Sequence, residues 1–345
     1  MTARVVLVTG VSRYVGGRLA AELSADPAVD RVIGVDVVPP TTDVGRTEFV
    51  RADIRNPIIA KVIASAGVDT VAHLSVIATP FGAGGRAAMK EINVIGTMQL
   101  LAACQKAPSV KRLIVKSTTS VYGSSARDPA LFTENMQPRE LPRSGYAKDS
   151  VEVEGYVRGF GRRRPDVTVT LLRFANFIGP RIDTPLVRYF SLPVVPRVFG
   201  FDPRIQFVHE DDGMAVLRAA VVDDHRGTFN VAGQGVLLLS QAIRRAGRTS
   251  LQVPSPAVSF AGSLFRRAGL VDFSPEQLRF LQFGRGVDTT RLGEDFGFTP
   301  RYTTAEAFDD FVAGSDLVRI VDPEAVSRAE DGLLRLAARG RPVHA

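Results

Sequence analysis

The chain has 345 residues, 45% of them apolar, a single cysteine, and a net charge of +7 with a pI near 9.8. That length suits one large domain or two smaller ones whose core needs no covalent staples, and a lone Cys104 rules out an intramolecular disulfide framework or a cysteine-rich metal site, so a reducing compartment and no metal are expected. The apolar runs GVLLL and VTVTLLRFA fall short of the roughly 18 residues of a membrane span, and the arginines are spread without a zinc-finger or basic-zipper pattern, so neither a membrane nor a nucleic acid is expected as a partner.

A strand-like run, ARVVLVTG, begins almost at Met1 and leaves no room for a signal peptide, which gives the expectation of a cytoplasmic protein. Apolar β-branched runs then alternate with helical-period segments. Strands are expected near Val5–Thr9, Arg31–Val35, Glu48–Ala52, Thr70–Leu74, Arg112–Ser117 and Val167–Phe174, with helices at about Val15–Ser24, Ala87–Gln105 and Gly145–Gly161. This alternation predicts an α/β chain with a Rossmann-type, doubly wound parallel sheet. After Gly179 the rhythm breaks into a Pro- and Arg-rich stretch and returns with IQFVHEDDGMAVLRAAV and GTFNVAG. The expected organisation is a dinucleotide-binding domain over 1–178 plus about 205–234. A smaller, mostly C-terminal substrate lobe over about 179–204 and 235–320 lies above the carboxyl ends of the strands, and a basic helical tail covers 321–345.

The first strand runs into TGVSRYVGGRLAAEL. Gly10 can make the tight turn, Gly16 can let the next helix pack on the strand, and that helix's amino end offers unpaired N–H groups to a phosphate. Asp36, ending the second strand, stands where a carboxylate binds the adenosine ribose and opposes a 2′-phosphate, which favours NAD over NADP. Asp53 and Ile54 end another strand; Asp53 suits either the adenine edge or the N-cap of a helix starting near Pro57.

In chain order TGVSRYVGGRLA, VIGVD, ADIRNP, VAHLSV, NVIGTMQLLAAC, VKSTTSVYG, YAKDSVEVE, RFANFIGP and FVHEDD cover roughly Val5 to Gly233. The series resembles the extended short-chain dehydrogenase/reductase superfamily, in its nucleotide-sugar epimerase and dehydratase branch. The resemblance implies an NAD cofactor, with Tyr14, Val15, Leu74, Ser75 and Asn93 joining Gly10, Gly16, Asp36, Asp53 and Ile54 around it, a small-molecule substrate, and a homodimer built on the helices at Ala87–Gln105 and Gly145–Gly161. The family's middle glycine is here Arg13, whose guanidinium either contacts the pyrophosphate, swings into solvent, or blocks the cofactor.

The resemblance also assigns the hydroxyl chemistry. Thr118 takes the strand-end position that hydrogen-bonds the reacting oxygen, with Ser117 and Thr119 as fallbacks and strand capping as the plain alternative. Tyr146 is the acid–base tyrosine, but the lysine expected at i+4 is Ser150. At its ordinary pKa of about 10, only about 0.1% of a tyrosine is phenolate at pH 7. Lysine occurs only at 61, 90, 106, 111, 116 and 148. Lys148 lies about 200° around the helix from Tyr146 and faces away, whereas Lys116 shares strand parity with Thr118 and is either a substitute cation or an ordinary strand-end lysine. Asn176 matches the asparagine near the substrate diphosphate; Gln206 replaces the arginine of the seventh-strand motif, leaving Arg181, Arg188, Arg197, Arg204 and Arg285 as candidate diphosphate ligands. His209 is expected as a hydrogen-bonded strand residue and Asp288 as an N-cap. The leading reading is an NAD-dependent epimerase or dehydratase acting on a hydroxyl carbon of a nucleotide sugar. A dehydrogenase of a non-sugar alcohol such as a hydroxysteroid, and a non-catalytic dinucleotide sensor, remain as alternatives.

Overall fold

Strands and helices alternate from the first described residue in the computed structural model, which describes residues 4–78, 84–143, 145–254, 275–315 and 317. The order is β1 (Val5–Thr9), α1 (Tyr14–Ala25), β2 (Arg31–Asp36), β3 (Glu48–Arg51), α2 (Ile58–Ser65), β4 (Thr70–His73), α3 (Arg86–Lys90), α4 (Gly96–Lys106), β5 (Arg112–Thr118), α5 (Gly145–Arg163) and β6 (Thr168–Phe174). Then come β7 (Asn176–Ile178), α6 (Pro185–Ser191), β8 (Val194–Val198), β9 (Arg204–Ile205), β10 (Phe207–His209), α7 (Glu210–Val222), β11 (Gly227–Val231), β12 (Leu237–Leu238), α8 (Leu239–Arg245) and β13 (Thr249–Val253). The tail expected over 321–345 lies outside the described residues.

Seven strands form one sheet in the order β11-β6-β5-β4-β1-β2-β3, every neighbour parallel. Strands buried on both faces need apolar residues of both parities, and β1, β4 and β5 supply them. Val6, Val8, Ala72, Ile114 and Leu172 face one way and pack on Leu19 and Leu23 of α1 and Met214 and Leu217 of α7. Leu7, Val71, Leu113, Val115 and Leu171 face the other way, against Ile59 and Ile63 of α2, Leu100 of α4 and Val153, Val157 and Phe160 of α5. The order in which strands are added reverses between β1 and β4, so the crevice at the carboxyl ends of these strands is where this topology binds ligands.

A third apolar cluster joins Leu186, Tyr189 and Phe190 of α6 to Ile205, Phe207, Leu239 of α8, and Phe308 and Phe311 of the helix Thr304–Gly314. Phe190 stands edge-on to Phe308, ring centroids 4.9 Å apart. This cluster lies beyond β6, in the segments that wall the crevice from above.

Two expectations change. The helix expected over Ala87–Gln105 is three pieces, α3 and α4 flanking a π-helical turn at Glu91–Ile95. In that turn Asn93 accepts from the Ile77 N–H (2.7 Å) and donates to the Ile77 carbonyl (3.0 Å), a tertiary tie that is invisible to helical periodicity. Asp53 caps no helix: the N-cap of α2 is Pro57 without a side-chain bond, while Asp53 accepts from the Arg55 backbone (2.9 Å) and pairs with its guanidinium (2.6 Å).

Candidate active site

At the end of β1, Gly10 has φ +82°, a conformation that disfavours side chains, and a Cβ there would press on Ser75 Cα at 3.2 Å. Gly16 is more constrained, because a Cβ would sit 2.1 Å from the Gly10 carbonyl oxygen. These contacts draw α1 onto the strand and bring its amino end, where no side chain caps the N–H groups, to the crevice. Arg13 is the N-cap, at φ −100° and ψ 153°, ordinary extended values that any residue adopts. Burial lowers its pKa while the nearby Asp36 carboxylate opposes that shift. Asp36 ends β2, where it accepts from the Ser12 N–H (3.1 Å), the Ser12 hydroxyl and the Val37 N–H (2.8 Å).

From this turn a cavity of about 300 Å3 extends across the sheet. Arg13, Tyr14, Val15, Gly16 and Leu74 line its nucleotide end, and Lys116, Thr118, Tyr146 and Asn176 line its middle. Asp36, Asp53, Ile54, Ser75 and Asn93 do not line it. Asn93 is 1% exposed and spends its amide on Ile77 and on Asp149 (3.2 Å), so it positions the loop after β4 instead of facing the cavity.

The Thr118 hydroxyl accepts from the Ser120 N–H at 3.1 Å, capping the turn at Thr119–Tyr122, and donates to the Ser120 hydroxyl at 3.2 Å; it shares the cavity wall with Tyr146. Of the fallbacks, Ser117 also lines the cavity but gives its hydroxyl to Glu154 at 2.7 Å, and Thr119 accepts from Arg285 at 3.3 Å. Burial pushes the Tyr146 pKa up to about 12; Thr118 and Ser150 pull it down, and Glu154 adds to the rise. Lys148 is exposed on the far side of α5. Lys116 lies in the cavity wall, its ammonium 5.9 Å from the Phe177 ring centroid, and burial, followed by the Arg13 charge, lowers its pKa to about 8. Behind it His73 bridges Thr9 (2.9 Å) and Thr97 (2.8 Å), with its pKa pushed down to about 4 by burial and then by Lys116.

Buried ion pairs fix α5 and so Tyr146. Glu154, 2% exposed, takes both arms of Arg173 (3.0 and 2.7 Å), and Arg173 continues to the Tyr122 hydroxyl (2.7 Å), which donates to Asn230 (2.8 Å). At the head of the helix Arg86 grips the fully buried Asp149 with two 2.6 Å bonds and the Gly145 carbonyl at 3.1 Å, bracketing the tyrosine. The Glu154–Arg173 pair, buried on both sides, holds only with such complete hydrogen bonding.

The substrate end differs most from expectation. Arg181 is spent on Glu210 (2.9 Å) and Asp211 (2.7 Å), Arg188 pairs with Asp183, Arg197 lies 3.9 Å from Asp202, and Arg204 is exposed on β9; none lines the cavity. Arg285 does line it, donating to the Gly123 carbonyl (2.7 Å), Ser120 (3.1 Å) and Ser124 (3.2 Å), with its pKa lowered to about 10 by burial. Sequence reasoning missed the apolar wall of Phe174, Phe177, Ile182, Leu186 and Phe280. The only signal for Phe174 and Phe177 was their place in RFANFIGP around Asn176; Leu186 and Phe280 come together through lobe packing. His209 is a hydrogen-bonded strand residue, meeting Asp310 at 3.0 Å and accepting from the Asp211 N–H at 3.2 Å. Asp288 accepts from the Thr290 N–H at 2.8 Å, although the N-cap itself is Thr289.

A glycine turn leading to an uncapped helix amino end, on one cavity with a tyrosine and a threonine, accords with the class: a dinucleotide-binding α/β fold of the short-chain dehydrogenase/reductase type. Residues 6–232 match the NAD dependent epimerase/dehydratase family, and the chain belongs to it. An uncharacterized protein of Mycobacterium tuberculosis is 50% identical over 340 residues, covering 97% of this chain and 90% of the relative. A UDP-glucose 4-epimerase of Mycolicibacterium smegmatis is 28% identical over 327 residues, 87% of this chain and 95% of the relative. The fold is also that of a UDP-glucose 4-epimerase of Thermotoga maritima solved with UDP-glucose, at TM-score 0.69 and 20% identity over 90% of this chain and 98% of that one.

Proposed function

We propose that the chain uses NAD to interconvert a hydroxyl-bearing carbon of a nucleotide sugar, in the manner of a 4-epimerase. The observation that carries this reading is that Thr118 and Tyr146 line the same cavity that begins at the Arg13–Gly16 turn. The residues fit the cofactor: the uncapped amino end of α1 and the close Gly10–Gly16 contact suit the pyrophosphate, and Asp36 at the tip of β2 suits the adenosine ribose. NAD bound there supplies the acceptance and return of a hydride. Thr118 holds the reacting oxygen, Tyr146 takes and returns the hydroxyl proton, and Arg86, Glu154 and Arg173 keep that phenol in place. Asn176 and Arg285 face the rest of the substrate. The chain would act in the cytoplasm as a homodimer through the α4–α5 face, where Ile95, Met98 and Tyr156 are exposed.

One observation favours a second reading. Arg181 and Arg204 do not reach a cavity whose wall is largely apolar, which suits a hydroxysteroid-like alcohol. The deciding experiment is mass spectrometry of what co-purifies with the protein, followed by turnover of UDP-glucose and of a hydroxysteroid at alkaline pH. Bound NAD with UDP-glucose turnover that disappears in Tyr146→Phe supports the epimerase reading. Steroid oxidation without any turnover of a nucleotide sugar replaces it, and activity that survives Tyr146→Phe removes the tyrosine from the mechanism.

A further inference from the structure

The guanidinium of Arg285 lines the cavity, has no ion pair among the described residues, and donates only to neutral oxygens. These are the Gly123 carbonyl (2.7 Å) and the hydroxyls of Ser120 (3.1 Å), Ser124 (3.2 Å) and Thr119 (3.3 Å). The Asp128 and Glu276 charges act on it from beyond hydrogen-bond reach. Of the two carboxylates that line the same cavity, Asp183 is paired with Arg188, and Glu276 accepts from the Arg143 N–H at 3.4 Å. A guanidinium has five N–H donors, so these four bonds leave one, on the nitrogen that also reaches Ser120. Ser120 has a donor to spare as well. Its oxygen accepts from Arg285 and from the Thr118 hydroxyl (3.2 Å), while its own proton finds no acceptor among the described residues.

Thr118 is bonded to Ser120 and Ser120 to Arg285, so both spare donors stand within two hydrogen bonds of the hydroxyl assigned to the reacting oxygen. Two adjacent donors, one of them charged, match the two oxygens of a carboxylate. The Phe280 ring, its centroid 5.0 Å from the guanidinium, steadies the cation from the apolar side of the cavity. We propose that Arg285 and Ser120 read a carboxylate beside the reacting carbon, so that the substrate is a nucleotide-linked uronic acid and not a neutral sugar. The inference rests on the proposed epimerase function. In a hexuronic acid the carboxyl group is borne by C5, the ring neighbour of the C4 that a 4-epimerase inverts. The diphosphate is carried at C1, across the ring from C4. A cation linked to Thr118 through a single hydroxyl is therefore better placed for the acid than for the diphosphate.

The test is the ratio of kcat/KM for UDP-glucuronic acid to that for UDP-glucose, which differ only at C6, measured with NAD on the full chain at about pH 9. The wild type is expected to favour the acid by about tenfold or more. In Arg285→Gln the ratio is expected to fall about tenfold, mainly through KM for the acid. Arg285→Lys, which keeps the charge, is expected to keep part of the preference, and Ser120→Ala to narrow it a few-fold, with circular dichroism confirming that each variant is folded. An arginine that only held the turn after β5, or only the diphosphate, would affect both sugars alike. Equal use of the two sugars by the wild type, or an unchanged ratio in Arg285→Gln, overturns the inference alone. Folded protein that turns over neither sugar overturns it together with the proposed function.

Discussion

The Ser150 hydroxyl donates to the carbonyl oxygen of Tyr146, one helical turn back, at 2.9 Å. The side chain that sits at i+4 from the tyrosine thus closes on its own helix and brings no charge to the phenol, whose pKa burial has carried up to about 12. At pH 7 only about one phenol in 100,000 is then ionised, and that fraction grows about tenfold per pH unit. Turnover is expected to be slow at neutrality and to climb through pH 9 to 10. Ser150→Lys should shift that rise to lower pH by about a unit or more. A wild-type pH–rate profile already flat from pH 7 upward would contradict this account of Tyr146.

Asp36 presents its carboxylate at the tip of β2, tied to Ser12 and Val37. It should oppose a 2′-phosphate, so NAD is expected to bind about tenfold or more tightly than NADP, and Asp36→Ala to lose the preference. Calorimetry showing equal or tighter NADP binding in the wild type would refute the assignment.

Arg13 stands over the amino end of α1 with no carboxylate ion pair among the described residues. If its guanidinium meets the pyrophosphate, Arg13→Gly should weaken NAD binding a few-fold, by about 1 kcal/mol, and flatten its dependence on salt. Unchanged or tighter binding in the variant would make the arginine a bystander.

The sheet was legible because its central strands are runs of β-branched residues, and the observed ends of β1 to β6 fall within a residue of those expected. The parity of Lys116 with Thr118 was legible for the same reason, since a strand repeats every two residues. The π-turn at Glu91–Ile95 was not, because it follows from Asn93 reaching the Ile77 backbone, a contact set by a loop sixteen residues earlier. The pairing of Arg181 with Glu210 and Asp211 was equally hidden, since any arginine reads alike until its neighbours across the fold are known. That is why candidate ligands near the chemistry came from strand ends, whereas those at the substrate end were only a set of arginines.

His73 gives the fold a pH dependence of its own. Its pKa falls from 6.5 when unfolded to about 4 in the fold, so between those values the unfolded chain binds a proton that the folded chain does not. Stability is therefore lost as the pH falls from 6.5 towards 4, by up to about 3 kcal/mol from this one group. Urea unfolding at stepped pH should show this slope in the wild type and a shallower one in His73→Gln; equal slopes would assign the acid sensitivity to other groups.

The first turn of the chain distributes its freedom unevenly. At Gly16 the carbonyl of Gly10 leaves no room for even a methyl group, whereas the extended backbone at Arg13 accepts any side chain. Natural variation can rewrite position 13 without disturbing the architecture, so what stands there reports on the ligand the protein has adapted to, while position 16 reports only on the fold.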